Sequence, residues 1–119
     1  MAISAATKLR APGAQIANHS SNVGLRRASV RTQAAVLRNA IQVYSEHNGK
    51  DWDVKTERSG KGYVLKWNAK DVNYRFTKLL DAFNVPYTLT RKFGIFSPEH
   101  RLYLGTPPGR GEPVVAKHA

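Results

Sequence analysis

No cysteine occurs anywhere in the 119 residues, which excludes disulfides, thiolate metal sites and cysteine nucleophiles. No acidic residue precedes Glu46. No stretch approaches the roughly 18 consecutive apolar residues that a membrane-spanning helix needs, so a soluble chain is expected. Motifs that would name a reaction are missing as well. The four histidines, His19, His47, His100 and His118, are scattered and show no H-E-x-x-H spacing. The glycines around Lys61 and Arg110 have neither P-loop nor dinucleotide-fold spacing. Asp51 and Asp53 read as a solvated strand edge rather than a general acid and base pair. Enzyme is therefore the least supported class, with no catalytic residue, metal or cofactor expected.

What is present is positive charge, unevenly placed. Nineteen Lys and Arg oppose eight Asp and Glu, a formal net charge of +11. Five of those cations, Lys8, Arg10, Arg26, Arg27 and Arg31, lie in an acid-free leader rich in Ala and Ser and interrupted by Pro12-Gly13. In composition, residues 1–34 resemble a plastid transit peptide, kept unfolded for import, and "SVRTQAA" resembles its cleavage region. The resemblance implies a mature start between Ala34 and Val36 and an address in the plastid stroma, with the mitochondrial matrix as the alternative. No apolar region follows Arg26-Arg27, so export to the thylakoid lumen is not indicated.

The segment 35–105 reads as one small α+β domain: an antiparallel sheet of about four strands in two hairpins, with one or two helices on one face. Alternation over Trp52, Val54 and Thr56, then Tyr63, Leu65 and Trp67, predicts a hairpin around "RSGKG". The stripe Val72, Phe76, Leu79, Leu80 and Phe83 predicts a helix over 69–84, capped by Asn68 with Asp71 in its first turn and closed by a left-handed Asn84 before Pro86. "PYTLTRKFGIFS" reads as a strand with Tyr87, Leu89, Phe93 and Ile95 on one side and a bulge or close approach at Gly94, returning through "SPEH" into "RLYLG". Residues 36–48 fit a helix with Val36, Ala40, Val43, Tyr44 and His47 on one side better than a strand. Residues 106–119, rich in Pro and Gly, are expected to be a flexible tail.

A domain of this size has a thin core and gains from a partner. The expected function is that of a small, basic, non-catalytic stromal accessory protein docking on a larger plastid assembly, such as a photosynthetic complex. Its partner would present an acidic protein surface, with peripheral contact to the thylakoid membrane as a further fit. Arg58, Lys61, Arg91, Lys92 and Arg101 are the candidate contacts. The alternative is RNA or ribosome binding, with Tyr63, Phe93 and Tyr103 as stacking platforms amid these cations. Aromatics alternating along strands more commonly form the core face of a sheet.

Overall fold

The computed structural model describes residues 24–119. Helix α1 (Val30–His47) leads into strands β1 (Lys55–Ser59) and β2 (Gly62–Asn68), then helix α2 (Tyr74–Ala82), β3 (Tyr87–Lys92), β4 (Glu99–Leu104) and β5 (Val114–His118). The strands form one antiparallel sheet in the order β1-β2-β4-β3-β5. Because β2 and β3 both pair antiparallel with β4, they run parallel to each other, and α2 carries the chain over β4 between them. This is a split βαβ unit, extended by β1 on one edge and β5 on the other.

The core lies between the helices and one face of the sheet. Leu65 and Trp67 of β2, His100, Leu102 and Leu104 of β4, and Tyr87 and Leu89 of β3 alternate onto that face, the period-two pattern of a half-buried sheet. They meet Leu37 and Ile41 of α1 and Phe76, Leu80 and Phe83 around α2. Trp52, Trp67 and His100 stack in sequence, with ring centroids 5.8 and 5.7 Å apart, and Phe76 packs edge-on against both tryptophans. The α1–β1 connection is tied to the helix by polar groups: Val54 N–H donates to Gln42 Oε1 at 3.0 Å and Arg38 Nε donates to the Val54 carbonyl at 3.0 Å.

The α+β class, the existence of the β1–β2 hairpin and the helix over 36–48 agree with the sequence reading, and several details do not: β1 starts only at Lys55, so Asp51, Trp52, Asp53 and Val54 lie in the connection before it, and Thr56 is exposed rather than inward-facing. Helix α1 begins six residues before Val36, because Ser29 is its N-cap and accepts from Thr32 N–H at 3.2 Å. Its buried side is Gln33, Ala34, Leu37, Ile41 and Ser45, while Val43 and His47 face solvent. The expected boundary between leader and domain thus falls inside a packed helix. Leu25 is in the core, and Gln33 Nε2 lies within hydrogen-bond reach of the carbonyls of Leu25, Arg26 and Ala28, adding to the Ala28 N–H bond that already closes the turn on Leu25. The rest of the leader, residues 1–23, lies outside the described residues.

Helix α2 is shorter than expected. Its N-cap is Asn73, not Asn68; the Asn73 side chain accepts from Phe76 N–H at 3.0 Å, and residues 69–73 are spent travelling from the end of β2 to the helix face. Asn84 does adopt the left-handed conformation, at φ 55°. The tail is corrected most. Tyr87↔His118 and Leu89↔Ala116 pair residues 114–118 with β3, so the sheet has five strands and the folded part continues well beyond Gly105.

The segment between β4 and β5, residues 105–113, crosses the face of the sheet opposite the helices as a strap. Glu112 is its anchor. The carboxylate accepts from Tyr103 OH at 2.7 and 2.9 Å, from Thr90 Oγ1 at 2.9 Å and from Gly109 N–H at 3.0 Å, and it meets the Arg101 guanidinium at 3.5 Å. Burial alone would raise its pKa, but these donors and the Arg101 charge outweigh it and hold the carboxyl below its ordinary value. Thr90 and Tyr103 are buried as a result.

Candidate functional site

The loop joining β3 to β4 carries Phe93, Ile95 and Phe96, which are 87%, 93% and 98% exposed. Three large apolar side chains in four positions, all in water, are unusual for a surface with no partner. The sequence reading placed Phe93 and Ile95 on a strand, on the same side as Tyr87 and Leu89. That is corrected here, because β3 ends at Lys92 and the alternation beyond it does not correspond to pairing.

The tip has a defined base. Asn68 Nδ2 donates to the Ser97 carbonyl at 3.3 Å, and Ala69 N–H donates to the Pro98 carbonyl at 3.1 Å. Gly94 makes the close approach expected of it: a Cβ there would sit 2.3 Å from the Ser97 carbonyl oxygen. The loop therefore closes tightly on itself, and its apolar side chains are left pointing outward. Lys92 is exposed and Arg91 half-buried beside them, and Lys70 follows Ala69 at the base. Among the nearby acids, Glu99 is engaged by Arg101 at 2.7 Å.

A cleft of about 520 Å³ opens next to the tip. Its apolar floor is Tyr44, Trp52 and Phe76, and its rim includes Asn48, Lys50, Asn68, Lys70, Asp71 and Ser97. Beneath this end of the sheet lies His100, fully buried, with neither ring nitrogen hydrogen-bonded. Burial, with the Arg91 charge and against the pull of Asp71, lowers its pKa to about 4, so the ring is neutral at physiological pH. It serves as an aromatic plate stacked on Trp67. Among the described residues no group of three or more His, Asp and Glu side chains is placed to hold a metal. No described helix is long and apolar enough to cross a membrane.

The residues singled out in the sequence fall into separate places. Arg58 and Lys61 lie at the β1–β2 turn, next to Leu104, whereas Arg91 and Lys92 pair with His100 and Glu99 at the other end of the sheet. A seven-residue strand separates the two groups, about 20 Å. Arg101 is bound between Glu99 and Glu112, and Tyr103 is buried under Glu112, so neither is free to meet a ligand while the strap is in place. The Arg58 guanidinium lies over the Tyr63 ring, 5.2 Å from its centroid. Of the three proposed stacking residues only Phe93 presents a free face. Ile95 was missed as a surface residue because "FGIF" imitates strand alternation; Gly94 and Pro98 on either side were the signal for a loop. Glu112 was also missed, although it is the sole acid after Glu99.

The fold and this surface define a two-layer α+β protein with an apolar, cation-flanked loop at one end of its sheet. In comparison with known proteins, the chain matches no family model, no curated protein and no solved structure.

Proposed function

We propose that this chain is a small, basic, non-catalytic accessory protein of the plastid stroma that docks on a larger assembly, such as a photosynthetic complex. The observation that carries this reading is the Phe93-Ile95-Phe96 tip, an apolar surface that the fold itself does not use. Docking removes it from water, and Arg91, Lys92 and Lys70 beside it favour an anionic surface of the assembly, either an acidic protein face or the membrane that carries it. The cations Arg58 and Lys61 at the far end offer a second, purely electrostatic contact. RNA binding has less support, since the helix-free face, where a base-stacking platform would lie, is crossed by the Glu112 strap and its aromatic residue, Tyr103, is buried there.

The stromal address rests on the composition of the leader. With Leu25 in the core, a leader that is removed is cut ahead of Leu25 rather than near Ala35.

Size fractionation of gently lysed organelles containing the tagged full chain tests the reading. The chain is expected to migrate with a large assembly, to be insensitive to ribonuclease and to be released as salt is raised. Migration at its own mass under all conditions, or release by ribonuclease, contradicts it.

A further inference from the structure

We propose that the β3–β4 tip seats Phe93, Ile95 and Phe96 in the headgroup region of an anionic lipid membrane. This rests on the reading of the tip as a docking surface and names what it touches. Three observations favour lipid over the other occupants. First, the side chains are almost wholly exposed, so no other described part of the chain covers them. A protein partner would need a pocket shaped to receive it, whereas a lipid interface admits an apolar wedge without one.

Second, the area is small. Three side chains of this size offer about 500 Å², below the roughly 800 Å² per partner of a stable protein interface. A second copy meeting tip to tip therefore falls short. At a membrane the apolar contact need not suffice alone, because attraction of basic residues to anionic headgroups adds to it. Third, the cations sit where that attraction requires them. Lys92 immediately precedes Phe93, Arg91 lies behind it, and Lys70 stands at the loop's base, where Ala69 N–H holds the Pro98 carbonyl. The close approach of Gly94 to Ser97 and the two hydrogen bonds at the base hold the loop closed beneath its exposed apolar side chains.

Sedimentation of the full chain with lipid vesicles tests this. Vesicles of phosphatidylcholine alone are compared with vesicles in which about a third of the lipid is phosphatidylglycerol. Binding is expected on the anionic vesicles and to weaken by ~tenfold or more in F93S/I95S/F96S, which keeps every cation of the chain, leader included. F96W is expected to shift its emission to the blue on the same vesicles. The inference is overturned if the triple variant, still folded by circular dichroism, binds as the wild type does, since charge alone then accounts for binding. It is overturned equally if the wild type does not bind. Should the wild type fail to bind vesicles yet migrate with an assembly in a tip-dependent way, the lipid assignment falls and the docking reading stands; loss of both removes both.

Discussion

At the scale of single residues, one buried ionisable group, His100, and one half-buried one, Glu112, shape how the fold responds to acid. His100 is neutral and without a hydrogen-bond partner in the core, and its pKa of about 4 lies below the ordinary 6.5. The unfolded chain therefore binds this proton more readily than the folded one. The contribution of this neutral ring to stability is full above pH 6.5 and is expected to fall, by roughly 3 kcal/mol, as the pH drops from there to about 4. His100→Leu, which has nothing to protonate, is expected to flatten the dependence between pH 6.5 and 4 in urea unfolding series; an unchanged slope contradicts the assignment. Glu112 acts lower on the scale. Its carboxyl is held below the ordinary 4.5, so its contribution is present above that pH and is lost as pH falls through the depressed value. Glu112→Ala leaves Tyr103 OH and Thr90 Oγ1 without their acceptor and is expected to cost about 2–4 kcal/mol at neutral pH in the same experiment.

At the scale of elements, the pieces legible in the sequence were those whose pattern is local. The β1–β2 hairpin was readable because Tyr63, Leu65 and Trp67 alternate and Gly60-Lys61 supplies the turn. Helix α2 was readable through the spacing of Phe76, Leu80 and Phe83, although Asn68 competed with Asn73 as its cap and only the path of 69–73 decides between them. What escaped depends on distant partners. β5 is a short strand after a Pro- and Gly-rich stretch, with Val114 and Val115 exposed, and nothing in "VVAKH" announces that His118 will pair with Tyr87, 31 positions earlier. The start of α1 was hidden because "VRTQAA" is polar and its buried members, Gln33 and Ala34, are not large apolar residues. The docking tip was hidden for the opposite reason: its residues look like core. A fragment beginning at Ala35 removes Leu25, the Ser29 cap and the Gln33 bonds together. It is expected to be destabilised by about 3–5 kcal/mol relative to one beginning at Gly24. Equal melting temperatures for the two fragments contradict the packed role of residues 25–34.

At the scale of the whole molecule, the fold and the proposed function use different residues. The core lies between two helices and one face of the sheet, the strap satisfies the polar groups on the other, and the tip contributes to neither. Such separation makes a clear demand on mutants. F93S/I95S/F96S is expected to melt within a few degrees of the wild type, since surface changes away from packed features typically move stability by less than about 0.5 kcal/mol each, while losing its association in organelle lysates. Charge adds the long-range part: with 17 Lys and Arg against 8 Asp and Glu from Leu25 onward, association is expected to weaken steadily with added salt, as screening shortens the reach of the cations around the tip.

The most direct measurement places a photo-reactive benzoyl-phenylalanine at position 96 in organelles, with the same residue at exposed Lys117 as the control. Irradiation is expected to join position 96, and not position 117, to lipid or to a subunit of the assembly. Adducts that are absent at 96, or as abundant at 117, would contradict the claim that this loop is the surface by which the protein works.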